Sequence, residues 1–171
     1  MKPYNLLIGI DPGKTGAIVY HYTGTQGVEA VKMPKDGHQF RDFLKRIIRP
    51  GDKPIVFIER VHIRPTDGKV SAAKFKSHYD NLIFVLETLN LPFVQIVPIT
   101  WQKGLHIWKK GEEKKDRKNR FKQIAATRHP NLKVFLWNSD ALLIWEFGWR
   151  QLKSNKSWVL ERLPNREKGM F

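Results

Sequence analysis

Residues 5–16 read Asn5-Leu6-Leu7-Ile8-Gly9-Ile10-Asp11-Pro12-Gly13-Lys14-Thr15-Gly16. Leu6, Leu7, Ile8 and Ile10 form an apolar run without polar alternation, the pattern of a strand covered on both faces. The run ends in a carboxylate, Asp11, and Pro12-Gly13 turns the chain at once. An acid at the carboxyl end of a core strand is a poor place for a merely solvating charge. It is a common one for a catalytic group or a metal ligand.

Working outward, Gly16–Tyr20 and Val28–Met33 supply two more strand candidates around the turn-rich Thr23–Gly27. Residues 5–33 therefore predict an antiparallel meander whose first strand is central. Phe40, Phe43, Leu44 and Ile47 then mark one face of a helix from about residue 37 to 48, which Pro50-Gly51-Asp52 ends. Pro54-Ile55-Val56-Phe57-Ile58-Glu59 repeats the opening signal, an apolar strand that closes on an acid. If the helix is a crossover between parallel strands, Asp11 and Glu59 stand side by side at one sheet edge. The plainer alternative is that Glu59 begins a surface loop.

Residues 60–71 look like a polar loop in which Arg60, Arg64 and Lys69 reach toward a phosphate backbone. His62 serves as a ligand or base, or is simply an exposed or locally hydrogen-bonded histidine. Phe75, Tyr79, Leu82, Ile83 and Leu86 recur at helical spacing over 72–89, giving a stripe that faces either the sheet or another subunit. A short strand follows over Phe93–Pro98, and Thr100 is placed to cap a brief helical turn.

The segment from Trp101 to Pro130 holds ten Lys or Arg against three Asp or Glu. Lys109, Lys110, Lys114, Lys115, Lys118 and Lys122, with Arg117 and Arg120, make it the best phosphate-facing surface. Trp101 and Trp108 either stack on unpaired bases or belong to a core. Lys133–Leu136 reads as a short edge segment, and Asn138 or Ser139 caps a last helix that carries Asp140 in its first turn. Asp140 suits a site, and equally suits compensation of the helix dipole. Residues 151–171 read as a basic peripheral extension to a domain of residues 1–150.

Composition bounds the function. At 171 residues and 41% hydrophobic content the chain fits one domain with a proper core. There is no cysteine, which excludes disulfides and thiolate chemistry. Met1-Lys2-Pro3 leads straight into a strand, so neither a signal peptide nor a membrane partner is expected. The 31 Lys and Arg against 16 Asp and Glu give a formal charge of +15. That excess points to a polyanion, nucleic acid ahead of an anionic membrane or a basic solubilising surface. Asp11, Glu59 and Asp140 are oxygen donors without a zinc pattern, which favours magnesium or manganese.

Ile10-Asp11-Pro12-Gly13 with Thr15-Gly16, then Ile58-Glu59-Arg60-Val61, then Ser139-Asp140-Ala141-Leu142 before an apolar helix together resemble the RuvC-type Holliday-junction resolvases of the RNase H-like nuclease superfamily. The resemblance spans roughly residues 5–150. It implies an α/β fold, an RNase H-like five-stranded mixed sheet flanked by helices, and a homodimer through the 72–89 helix. It also implies a crossover junction endodeoxyribonuclease using Mg2+, with Mn2+ as substitute and two ions per site, that makes symmetric nicks in four-way DNA junctions. In the family's pattern Asp11, Glu59 and Asp140 take metal-binding, catalytic places, Lys103 falls near a basic residue that steadies the cleaved phosphate, and Lys114 and Lys118 face the junction. The expected setting is cytoplasmic and nucleoid-associated, in a bacterial or phage-infected cell.

One position departs from the family's pattern. A further acid is usual one helical turn before the place of Asp140, and Trp137 stands there; Asn138 is the neighbouring candidate for a neutral oxygen ligand. Glu146 is no substitute, because six residues along a helix turn it about 120° away. Two other readings are a nuclease acting on other branched DNA or on RNA–DNA hybrids, and a catalytically impaired junction-binding protein.

Overall fold

The computed structural model describes residues 4–61 and 68–163. In chain order the elements are β1 (Leu6–Asp11), β2 (Ala17–Tyr22), β3 (Glu29–Lys32), α1 (Gly37–Ile47), β4 (Pro54–Glu59), α2 (Lys69–Thr88), β5 (Phe93–Ile96), α3 (Pro98–Gly104), α4 (Lys114–Arg128), α5 (Ser139–Ser154) and α6 (Lys156–Arg162). The five strands form one mixed sheet in the order β3-β2-β1-β4-β5. The first strand is central, as expected, antiparallel to β2 and parallel to β4.

Alternation along the strands divides the core into two layers. Leu6, Ile8 and Ile10 of β1 and Val56 and Ile58 of β4 face α1 and α2. Leu7 of β1 and Ile55 and Phe57 of β4 face the layer built by α3, α4, α5 and α6. The same period carries Asp11 and Glu59 to the α5 side of the sheet. Ile10 pairs with Ile58, so the two acids that follow leave adjacent strand ends.

Helix α5 lies directly on the sheet. A Cβ at Gly9 would come within 2.6 Å of the Trp145 Cβ and 2.7 Å of its backbone, and one at Gly148 would overlap the Phe57 ring. Glycine on each side of the contact lets backbone meet ring or backbone. Glu146 ties α5 to its neighbours. Its buried carboxylate accepts from Arg128 at 3.2 Å and Arg150 at 2.5 Å, with His129 Nε2 at 3.2 Å. It points away from the acids, as helical geometry requires.

Several local expectations give way to tertiary context. Pro98 takes the first helical position of α3, so Thr100 is internal rather than a cap. Residues 133–135 are not a strand; the loop leads through a turn at 136–138 into α5. The α2 stripe expected at a subunit contact is largely used within the chain, where Tyr79, Leu82 and Leu86 are buried with Val85. The outer side of α2 keeps Val70 and Phe84 exposed. At the carboxyl end α5 runs past residue 150 to Ser154, and α6 buries Val159 in the core. Trp158 meets the Phe147 ring edge-on, so this segment packs rather than trails.

Candidate active site

Each acid has a distinct local support. The Asp11 Oδ1 accepts the Gly13 amide at 3.1 Å, inside the turn that Gly16 closes by donating to the Gly13 carbonyl at 2.7 Å. A side chain at Gly16 would run into the Asp11 backbone and carboxyl group, so the turn demands glycine. The Glu59 Oε2 accepts from the indole Nε1 of Trp101 at 2.7 Å. Asp140, in the first turn of α5, accepts from the Lys118 ammonium at 2.7 Å and from the Ser139 hydroxyl at 3.1 Å. The same ammonium is 4.0 Å from Asp11.

Lys118 is thus the cation at the centre of three acids from three elements. Burial pushes the Asp11 carboxyl up, and the neighbouring Asp140 adds to this, against Lys118 and the Gly13 amide. Burial and then Asp11 push Glu59 up to about 8, against the Trp101 hydrogen bond, which pulls it down. Burial works to lower the Lys118 pKa, but Asp140 and Asp11 outweigh it and the net is a rise. Asp11 and Glu59 therefore hold their protons to higher pH than free carboxyls do, Lys118 notwithstanding.

Glu59 and Asp140 line one cleft of about 1140 Å³ with Trp101, Trp108, Lys114 and Arg117. Among the described residues, no three His, Cys, Asp or Glu side chains stand in an arrangement ready to hold a metal ion. In kind the donors fit a hard cation, being carboxylates alone, and their unrelieved repulsion is what a divalent ion would relieve.

The sequence-predicted residues separate into groups. Asp11, Glu59, Asp140 and Lys118 come together. Lys103 does not; its ammonium lies 5.0 Å over the Trp108 ring, and Lys118 stands at the acids in its stead. Asn138 is also committed elsewhere. It is 1% exposed, its Oδ1 accepting from the Phe135 amide at 2.7 Å and its Nδ2 donating to the Lys133 carbonyl at 3.1 Å. A buried amide with both ends satisfied braces its loop and has little left for a metal. It also makes no side-chain cap to α5.

No family model and no curated protein matches this sequence. Solved structures do match. The structure of RuvC from Thermus thermophilus superposes with a TM-score of 0.57 at 13% identity, over 92% of this chain and 98% of that one. The structure of T. thermophilus RuvC in complex with a Holliday junction substrate gives 0.56 at 12% identity, over 88% and 96%. The fold is RuvC-like.

Around the acids of this RuvC-like fold, Arg60, Lys114 and Arg117 rim the cleft. Lys69, Lys109, Lys110, Lys115 and Lys122 are exposed beyond it. Arg64 and His62 lie outside the described residues. Arg120, one of the segment's cations, is engaged instead by Glu112 at 2.6 Å. Trp101 is buried, which removes it from base stacking and gives it the role of Glu59's donor. Sequence reasoning missed that role; the only signal was an indole soon after the fifth strand.

Proposed function

We propose that this protein is a metal-dependent, structure-selective DNA endonuclease that nicks four-way junctions symmetrically. The observation that carries the reading is the convergence of Asp11, Glu59 and Asp140 about Lys118 in a RuvC-like fold, with Glu59 and Asp140 lining a cation-rimmed cleft. The coarser assignment, a nuclease of branched DNA, draws support from the fold and from the charge of +15.

Asp11, Glu59 and Asp140 would hold a magnesium or manganese ion, which when bound activates water and screens the phosphate. With Asn138 engaged and Trp137 in place of an acid, these three carboxylates furnish ligands for one ion rather than two. The reaction is in-line hydrolysis. A water oxygen bonds to phosphorus, the bond from phosphorus to the 3′ oxygen breaks, and that oxygen takes a proton. Lys118 brings positive charge to the non-bridging phosphate oxygens, and Trp101 fixes the Glu59 rotamer. Arg60, Lys114 and Arg117 hold the flanking backbone. A second copy bound through the outer side of α2, where Val70 and Phe84 are exposed, would present two equivalent sites to a two-fold junction.

The test is incision of a labelled immobile four-way junction beside linear duplex, a flap and an RNA–DNA hybrid, in magnesium and in manganese. Symmetric nicks at the junction, lost in Asp11→Asn or Asp140→Asn while binding persists, are expected. Full cleavage by both variants refutes the assignment, and preference for flap or hybrid moves it to a broader nuclease. A second reading, a junction binder without chemistry, is favoured by Trp137 and by the absence, among the described residues, of a ready metal cage. Tight junction binding with no incision in either metal would establish it.

A further inference from the structure

Next to Asp140 lies an apolar surface that the proposed chemistry leaves unused. Phe135 and Leu136 are 46% and 49% exposed, and Trp137 is half-buried beside them. The Phe135 and Trp137 rings lie 11° from parallel with centroids 6.0 Å apart. The Lys32 ammonium stands 5.9 Å over Trp137. Large apolar side chains on a loose loop would fold inward. Here Asn138 restrains it, because its two part-buried hydrogen bonds tie the turn at 136–138 to the Phe135 amide and the Lys133 carbonyl while Phe135 and Leu136 stay exposed. A rigid surface loses little freedom when a ligand settles on it.

Position and charge indicate the occupant. Lys32 ends β3 opposite Ala17, which itself pairs with Asp11, so this surface lies on the β3 side of the acids. Trp108, Val97 and Ile99 border the cleft on the other side, beyond β5. The acid cluster sits between two aromatic flanks. Flat rings bordered by ammonium groups suit a nucleobase with its phosphate, since every base has a face to stack and a charge beside it. An uncharged apolar partner would gain nothing from the lysine.

We propose that Phe135, Leu136 and Trp137 form a stacking platform for one unpaired nucleobase at the branch point, beside the strand presented to the acids. The proposal rests on the DNA-binding reading of the same site and names the feature of branched DNA that this chain recognises.

The test uses the full chain in EDTA with a four-way junction carrying 2-aminopurine at the crossover. Wild-type protein is expected to bind and to change the probe's fluorescence. Phe135→Ala with Trp137→Ala should abolish that change and weaken binding roughly five- to a hundred-fold. The slope of log affinity against log salt should stay constant, because no phosphate contact is lost. Trp137→Phe, with Phe135 intact, should keep both signals. Lys32→Ala should reduce the salt slope, by about one.

Wild-type affinity and fluorescence in the double variant would overturn the platform and leave the nuclease reading standing. A wild-type protein that binds no junction DNA would overturn both. Loss of affinity together with a shift from dimer to monomer in sedimentation would show that the patch is a subunit contact and overturn the proposal. Since Phe135 is on the surface, an unchanged urea midpoint in Phe135→Ala alone, with a partial loss of both signals, keeps the result separate from misfolding.

Discussion

Replacing Lys118 by glutamine should make the metal-free protein's stability depend steeply on pH. The ammonium is 2.7 Å from Asp140 and 4.0 Å from Asp11, with a third of its side chain open to solvent. At an effective dielectric near 20, unit charges 4 Å apart attract by about 4 kcal/mol. Desolvation and solvent screening leave roughly 1–3 kcal/mol of that in a half-open cleft. The loss should appear above neutral pH, where all three acids are asked to ionise together. It should shrink toward pH 5, because Asp11 and Glu59, already pushed up, take protons more readily once Lys118 no longer opposes this. Magnesium should restore part of the loss by replacing the missing cation. Urea unfolding in EDTA across pH, repeated with magnesium, reads all three effects. An equal loss at both ends of the pH range would show instead that Lys118 acts through packing and not through charge.

Glu59 gives a related test with a definite sign. Its folded pKa of about 8 lies above the ordinary 4.5, so the protonated carboxyl's contribution is complete at the lower value and gone once pH has risen past the higher. Metal-free thermal midpoints should fall through that window, and Glu59→Gln should flatten the fall. Trp101→Phe removes the donor that lowers the Glu59 pKa; it should cost about 1 kcal/mol and, by raising that pKa further, move the alkaline end of the fall to higher pH. Gly9→Ala sets a methyl against Trp145 and should destabilise by about 1–3 kcal/mol in urea, with incision falling more than stability alone explains as Asp140 is displaced.

The strand ends were readable in the sequence because an apolar run that stops at an acid encodes both burial and an edge. Asp11 and Glu59 needed only the parallel crossover to become neighbours. Period-3.6 stripes likewise placed α1 and α2 to within a few residues. What failed was choice among equivalent lysines. Lys103 and Lys118 look alike along the chain, and only the packing of α4 against α5 decides that Lys118 reaches the acids. Asn138 misled for a similar reason: an amide before a helix signals a cap, but the Phe135 amide and the Lys133 carbonyl of the preceding loop take both ends of its side chain. The reading of 151–171 as peripheral followed the charge of that segment; the burial of Val159 and the contact of Trp158 with Phe147 depend on tertiary packing that charge does not encode.

The seat of α5 on β1 and β4 makes the spacing of the acids a backbone dimension. With Gly9 set against the Trp145 backbone, the helix rests on β1 through main chain that no rotamer change can move, and Gly148 seats it on the Phe57 ring. Substitutions that loosen or refill the α1–α2 layer therefore leave that spacing alone, because they act on the far face of the sheet. Substitutions in the buried α1–α2 layer should therefore lower incision only as far as they lower stability, and those beneath α5 should lower it further, so a mutational map of incision corrected for stability would divide along the plane of the sheet.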